Sequence, residues 1–199
     1  MNNYPRFAKI DNKQYRINTD YKVALKCIDV AESTNIADEE RALAIIFLLF
    51  GEEGLNDANN WERLLKVALK YLRCNQEETD DNIEEKNMDF KQDWGYIKTS
   101  FFYDYKIDLD VTDLHWWSFY EKTCGLSEKC ILNRIRFLRD FDVSQIKDIT
   151  EKEKWIKQKQ QVALKEEKTS EERRLDELFK KQMKGEWQNE RRWVLKNKN

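Results

Sequence analysis

The sequence predicts an all-α protein with a helical domain of about six helices, a short N-terminal β-hairpin and a long charged C-terminal helix. Three observations predict this class. The 199 residues include one proline and five glycines, so few positions interrupt a helix. Apolar residues recur at three- and four-residue steps through most of the chain, which is the period of an amphipathic helix. Aromatic residues make up 13% of the chain, which is enough to build a core despite the 37% of charged residues.

The charged residues divide the chain into an acidic body and a basic arm. Residues 1–149 are predicted to form the helical body, with its halves separated by an acidic linker at 76–87, and residues 150–199 a charged helical arm. Residues 151–199 carry 15 basic and 10 acidic side chains, which leaves 21 basic and 28 acidic ones in residues 1–150. These opposite net charges favour self-association between copies.

The N-terminal segment is predicted to form a hairpin and a first helix. Residues 6–17 contain two short mixed segments on either side of the turn-prone Asp11 and Asn12. Asp20 then stands where an N-cap would begin the next helix. The sequence therefore predicts a small sheet followed directly by helical structure.

Two helices are predicted next. Residues 38–54 open with carboxylates, which suit the positive end of a helix dipole, and reach Gly51, a natural helix end. The second half of this segment is apolar nearly all round, which predicts a central helix buried on most sides. Residues 59–75 predict an amphipathic helix with Asn60 as its cap and, on one face, Trp61, Leu65, Ala68 and Leu72.

The second half of the body is predicted to contain three helices. Residues 88–105 predict a helix with an aromatic stripe formed by Phe90, Trp94, Ile97, Phe101 and Tyr105. Thr112 or Asp113 is expected to cap the next helix, which would end near Cys124 with Gly125 as a left-handed stop. Ser127 is expected to cap a helix whose buried face consists of Ile131, Ile135 and Leu138. Three arginines of this helix are expected to point away from that face: Arg134, Arg136 and Arg139.

The arm contains one apolar strip among its many Glu and Lys residues. Four apolar side chains follow one another at steps of four, the spacing of one helix face: Leu175, Phe179, Met183 and Trp187. An apolar strip of this kind is typical of a helix face that packs into a groove or against a partner helix. We therefore expect these four residues to bind a partner protein.

The segment TDLHWWSFYEKTCGL contains the only histidine and a tandem pair of tryptophans. His115 could be a general base, but such a base needs an orienting partner and a substrate within reach, and Asp113 points to another helix face. A capping or half-buried histidine at a helix start is the favoured interpretation. Trp116 and Trp117 are interpreted as core residues, with a protein-docking surface as the alternative.

Other classes of function lack their motifs. The sequence contains no phosphate-binding loop, GxGxxG, GxSxG or HExxH pattern, and its four cysteines show no zinc or redox spacing. We therefore expect neither an enzyme nor a cofactor or metal site. Nucleic acid is a disfavoured partner because the body is acidic. With no signal peptide and no apolar run near 18 residues, we expect no membrane association and a cytoplasmic location.

A family resemblance rests on residues 89–126. An aromatic helix ends in SFFYDYKIDL, LHWWSF follows, and a short helix runs to GL; the signature positions are Asp108, Leu109 and the run Leu114, His115, Trp116 and Trp117. The order of these motifs, together with the segment INTDYKVALKCIDV near the start, resembles the gene product fifteen family of siphophages and prophages. The last residues, GEWQNERRWVLKNKN, depart from the family pattern.

This resemblance implies a role in phage tail morphogenesis. It implies a tail assembly chaperone that acts with the tape measure protein and other phage tail proteins in the cytoplasm of the bacterial host. The family brings no catalytic residues. A structural component of the phage tail or virion is the alternative, and a nucleic-acid-binding accessory protein is a third, weaker one.

Overall fold

The computed structural model describes residues 4–76 and 86–165. This part of the chain contains a two-stranded antiparallel sheet and seven α-helices, which confirms the predicted class and the N-terminal hairpin. The elements are β1 (Phe7–Ile10), β2 (Lys13–Arg16), α1 (Tyr21–Glu32), α2 (Asp38–Leu55), α3 (Trp61–Leu72), α4 (Trp94–Tyr105), α5 (Trp116–Cys124), α6 (Ile131–Asp140) and α7 (Ile149–Val162).

The chain divides into two compact units. The first comprises residues 1–32 and 38–164 and contains every element named above. Of the second unit the structure describes residues 33–37 and Lys165. Residues 34–36 form a bend, where the Asn35 amide donates to the Ser33 hydroxyl at 3.4 Å. The predicted division into a body and an arm at residue 150 stays a prediction.

The hairpin buries one of its faces. Asp11 takes a positive φ of 52° at the predicted turn, and the strands pair with Ala8 opposite Tyr15. Ala8, Ile10 and Tyr15 are buried, whereas the alternate residue Phe7 is exposed. This period of two places the apolar face of the hairpin against α2 and α3.

The central helix α2 continues beyond its predicted end. Gly51 has the positive φ of 66° expected of a helix stop, but the helix kinks there and resumes to Leu55. The Leu49 carbonyl near the kink accepts a 2.7 Å hydrogen bond from the Asn18 amide. Only one side of α2 is fully buried, since Phe47 is exposed. The expectation that this helix is buried on most sides was therefore too strong.

Helix α3 buries a face that overlaps the predicted one at Ala68 and Leu72. Leu64, Ala68, Tyr71 and Leu72 are buried, while Trp61 and Leu65 are partly buried against the core. Asn60 occupies the N-cap position but makes no capping hydrogen bond. Its side-chain amide donates instead to the Tyr15 hydroxyl at 3.4 Å and to Asp57 at 3.3 Å. The Asn60 side chain therefore contacts the hairpin and does not cap the helix.

Helix α4 begins at Trp94, six residues later than predicted. The preceding residues form a turn in which Asp89 accepts hydrogen bonds from the amides of Lys91 and Gln92, at 2.9 and 2.8 Å. Such short-range side-chain bonds compete with helical backbone bonds. Four residues of the predicted stripe lie on α4: Ile97 and Phe101 are buried, and Trp94 and Tyr105 are partly buried against the core. Phe90 also packs against the core, but from the turn before the helix.

The caps of α5 and α6 differ from the predicted ones. His115, and neither Thr112 nor Asp113, caps α5, and Gly125 after it has an ordinary φ of −87°. Cys130 rather than Ser127 caps α6, through its sulfur. Ser127 is engaged elsewhere, because its amide and hydroxyl both donate to Asp104, at 2.7 and 2.8 Å.

Helix α6 is joined to Asp93, the residue before α4, by a buried ion pair that was not predicted from the sequence. Its fully buried apolar residue is Leu132, and the predicted face is half-buried: Ile131, Ile135 and Leu138. Arg139 was expected to point away, yet its guanidinium donates two 2.7 Å hydrogen bonds to the Asp93 carboxylate. Their side chains are only 10% and 1% exposed. A buried carboxylate requires such a partner.

Helix α7 rests on the end of α6 through a small contact. The Trp155 ring stacks on Phe141 with centroids 4.3 Å apart, and Lys159 donates to the Phe141 carbonyl at 2.7 Å. Arg139 also donates to the Val162 carbonyl at 2.6 Å. No residue of α7 is fully buried, and both Ile149 and Ile156 are exposed. Helix α7 is the start of the predicted arm, and residues 166–199 lie outside the described residues.

Replacing Arg139 with Leu should destabilise the protein strongly. The substitution leaves the Asp93 carboxylate buried without a counter-charge, which typically costs about 3–5 kcal/mol. Arg134→Leu, in the same helix but exposed, should change the free energy of unfolding by less than about 0.5 kcal/mol. Denaturant unfolding of both variants measures the difference, and equal effects would contradict the structural importance of the ion pair.

Candidate functional site

The signature segment around residues 108–117 is held to the start of α1 by backbone hydrogen bonds. The Tyr21 amide donates to the Leu114 carbonyl at 3.1 Å, and the Trp116 amide donates to the Thr19 carbonyl at 2.7 Å. Between them Asp20 and His115 form an isolated antiparallel bridge. Two segments nearly 100 residues apart in sequence are thereby fixed side by side.

Asp108 and Leu109 shape the turn that leads into this segment. The Asp108 carboxylate accepts from the Asp110 amide at 2.9 Å, and its carbonyl accepts from the Thr112 amide at 2.9 Å. Leu109 is buried, and its carbonyl accepts a 2.6 Å hydrogen bond from the Tyr21 hydroxyl. Both signature residues therefore have structural roles: Asp108 stabilises the turn, and Leu109 is part of the core.

His115 uses both ring nitrogens to join chain segments. Nδ1 accepts from the Trp117 amide at 3.1 Å and so caps α5, while Nε2 lies 3.1 Å from the Pro5 carbonyl oxygen. Because a carbonyl can only accept, the hydrogen must be on Nε2, and the ring is the neutral tautomer. The ring also stacks on Tyr4, with centroids 4.9 Å apart. This geometry agrees with the capping interpretation.

Burial lowers the pKa of His115 below its ordinary value of 6.5. The Pro5 hydrogen bond opposes this shift, Arg6 adds to it and Glu121 opposes it, and the net direction is downward. Protonation would place a hydrogen on Nδ1, directly against the Trp117 amide that it now accepts from. The folded state therefore favours the neutral ring.

The tandem indoles cap the C-terminal end of α3. Trp116 donates its indole N–H to the Leu72 carbonyl at 3.0 Å, and Trp117 donates to the Tyr71 carbonyl at 3.0 Å. The last carbonyls of a helix have no partner within it, so donors from elsewhere stabilise its end. Trp116 is buried and Trp117 is half-buried. Two adjacent indoles thus satisfy two consecutive carbonyls.

Phe119 is the centre of an aromatic cluster, a position that was not predicted from the sequence. Its ring stacks on Tyr21 at 4.7 Å, on Phe101 at 5.1 Å and on Trp116 at 5.8 Å. Trp94 lies 6.5 Å away. The spacing of three residues between Trp116 and Phe119 was the signal that could have found it, since residues at that spacing share a helix face.

The arrangement has the character of a structural joint. Both indole N–H groups and His115 Nε2 meet backbone carbonyls of other segments. Asp108 and His115 Nδ1 accept from backbone amides near them in sequence. In residues 4–76 and 86–165 no three His, Cys, Asp or Glu side chains are placed to hold a metal ion. The predictions that the chain is not an enzyme and has no cofactor stay predictions.

The predicted partner-binding strip is not part of the described structure. Leu175, Phe179, Met183 and Trp187 lie outside the described residues, so their role stays a prediction. Within the described ranges, none of the helices has the length and apolar composition needed to cross a membrane.

The fold and the signature segment identify the chain as a small helical protein in which aromatic side chains join the helices. The family model described as Bacteriophage Gp15 protein matches residues 2–164, and the chain belongs to this family. Neither a curated protein nor a solved structure matches the chain. The family makes it a bacteriophage protein and indicates a structural or morphogenesis role.

Replacing His115 with Asn should remove part of the pH dependence of stability. The unfolded histidine takes up a proton near pH 6.5, whereas the folded one does so only at lower pH. The His115 contribution is therefore intact above pH 6.5 and is lost as the pH falls through the lower, folded-state pKa. Asn can keep the cap to the Trp117 amide without titrating. Urea unfolding at pH 7.5 and 5.0 measures this, and an identical loss in both proteins would contradict it.

Two buried tyrosines should respond oppositely to removal of their hydroxyl groups. Tyr21→Phe removes the donor to the buried Leu109 carbonyl and should cost about 1–3 kcal/mol. The Tyr71 hydroxyl is buried with no hydrogen-bond partner in the described part of the chain, so Tyr71→Phe should be neutral or stabilising. Burial raises the pKa of both groups, that of Tyr21 to about 12. Thermal unfolding compares the pair; a costly Tyr71→Phe would show that its hydroxyl has a partner.

Proposed function

We propose that this protein is a non-enzymatic tail assembly chaperone that acts with the phage tape measure protein in the cytoplasm of the bacterial host. The proposal combines the family membership with the exposed apolar side chains of α7, where the predicted arm begins. The family match ends at residue 164, two residues beyond the end of α7. The partner would be engaged by α7 and by the residues that follow it in the sequence.

The single observation that carries this proposal is the pair of aliphatic side chains that α7 leaves exposed. Trp155 and Lys159 contact Phe141 at the end of α6. Ile149 and Ile156, seven residues apart and therefore on one helix face, lie beside that contact and are both exposed. A charged helix that keeps an apolar row in solvent suits a partner with a complementary apolar stripe.

A tape measure protein is a partner of suitable chemistry. Long helical segments expose apolar stripes until tail subunits cover them, and exposed stripes promote aggregation. The arm would cover such a stripe with Ile149 and Ile156 and, farther along the sequence, with Leu175, Phe179, Met183 and Trp187. The alternating Lys and Glu residues of the arm would keep the complex soluble.

Co-expression with the tape measure protein provides the test. The full chain should raise the soluble yield of the tape measure protein several-fold. Truncation after Lys165, which retains α7, should remove most of this gain, and the double substitution of Ile149 and Ile156 with Ser should reduce it. The control is Val111→Ser, which removes an aliphatic side chain about as exposed as Ile149 from a loop of the body and should have no effect.

Two outcomes would contradict the proposal. The first is an unchanged tape measure yield with the full chain, with the truncated chain and with the double variant. The second is a stoichiometric amount of the protein in purified phage particles, which would favour the alternative of a structural tail or virion component.

A further inference from the structure

Helix α7 is held to α6 by contacts that bury little apolar surface. The Trp155 ring stacks on Phe141, and the Lys159 ammonium donates to the Phe141 carbonyl. Both rings remain half-buried in this contact, and Ile149 at the start of α7 is 75% exposed. The described contacts of α7 are mainly with α6 and with the 3₁₀ turn Val143–Gln145. A segment with so little buried apolar surface opens at a lower free-energy cost than that of unfolding the whole domain.

The buried ion pair of the body does not depend on α7. Arg139 donates to the Val162 carbonyl at 2.6 Å. The same guanidinium makes two 2.7 Å hydrogen bonds to Asp93 and one 2.9 Å hydrogen bond to the Asn87 carbonyl. When α7 leaves, the buried Asp93 carboxylate therefore keeps its counter-charge. The Phe141 carbonyl, which belongs to a half-buried residue, gains water as its donor.

Helices α4 and α5 are anchored much more firmly than α7. Helix α4 buries Ile97 and Phe101, and α5 buries Trp116 and Phe119. The three rings lie in one cluster, in which Phe119 is 5.1 Å from Phe101 and 5.8 Å from Trp116. Opening either helix would expose this cluster to water, so we expect both to open only when the whole domain unfolds.

We propose that α7 is a detachable strap, which leaves α6 as one unit while the elements from β1 to α6 stay folded. The stack of Trp155 on Phe141, with ring centroids 4.3 Å apart, is the contact that closes the strap. Isolated helices shorter than about 12–15 residues are marginal in water, so the 14-residue α7 loses most of its helical structure once it leaves α6. The protein thus has a closed form and an open form that differ in α7.

Opening widens the apolar face that α7 offers, a consequence for partner binding that rests on the proposed function. At about 100° per residue, Ile149 and Ile156 lie within about 20° of each other, and Trp155 lies about 100–120° from them. In the closed form Trp155 packs on Phe141. A partner helix would take up all three side chains when α7 refolds against it, and would therefore favour the open form.

Amide hydrogen exchange of the full chain, followed by mass spectrometry without any partner, tests the proposal. Amides of residues 153–162 should exchange at least about 100-fold faster than those of residues 98–105 in α4, yet at least about ten-fold slower than in an unstructured peptide. The first difference shows that α7 opens without the rest of the domain, and the second shows that α7 is closed most of the time. Because no partner is present, the result is independent of the co-expression experiment, which alone tests the chaperone role.

Two substitutions remove the stack from its opposite sides. Trp155→Ala and Phe141→Ala should each accelerate the exchange of α7 at least about ten-fold and leave that of α4 unchanged. Alanine is a better helix former than tryptophan, so faster exchange in the Trp155 variant cannot come from a lower helix propensity. Phe141→Ala leaves the sequence of α7 unaltered. The matched control is Ile156→Ala, which removes an exposed side chain next to Trp155 and should change the exchange rate less than about two-fold.

Three results would overturn the proposal. The first is exchange of α7 and α4 at the same rate, which would show that α7 opens only when the domain unfolds. The second is exchange of α7 at the rate of an unstructured peptide, because the closed form would then be absent. The third is unchanged exchange of α7 in both stack variants, or an equal acceleration of α4, since the stack would then not be the contact that closes α7 alone.

Discussion

The stacking of Phe119 with Tyr21 and Phe101 is the contact on which the rest of this structure depends. It joins α5, α1 and α4 at one point, with ring centroids 4.7 and 5.1 Å apart. These helices are short, and short helices are marginally stable unless tertiary packing supports them. Large aromatic rings bury much apolar surface per residue, so a few of them can hold several short helices together. The tandem indoles extend the cluster to α3.

Polar groups then fix the arrangement that the rings make stable. Backbone carbonyls of other segments accept hydrogen bonds from the Tyr21 hydroxyl, both indole N–H groups and His115 Nε2. The Asp93 and Arg139 side chains pair between the start of α4 and the end of α6. Hydrogen bonds are directional, so these groups select one packing among those that hydrophobic burial alone would allow.

Buried and exposed side chains have different roles in this protein. The residue types that first suggested a pocket, a histidine beside two tryptophans, are used to join segments of the body. Exposed apolar side chains lie on several described elements, among them Phe47 on α2, Phe137 on α6 and Ile149 on α7. The proposed chaperone role would use those of α7.

The sequence by itself determined the helical class, the hairpin, the aromatic stripe of α4 and the family, because periodicity and turn chemistry are local and the signature residues are contiguous. Only the tertiary structure decided the caps of α5 and α6, the pairing of Arg139 with Asp93 and the central place of Phe119. Each of these depends on a group distant in sequence: Ser127 is occupied by Asp104, and Asp93 recruits an arginine 46 residues away. Local sequence patterns indicate which side chains need a partner, but which residue becomes the partner depends on the tertiary structure.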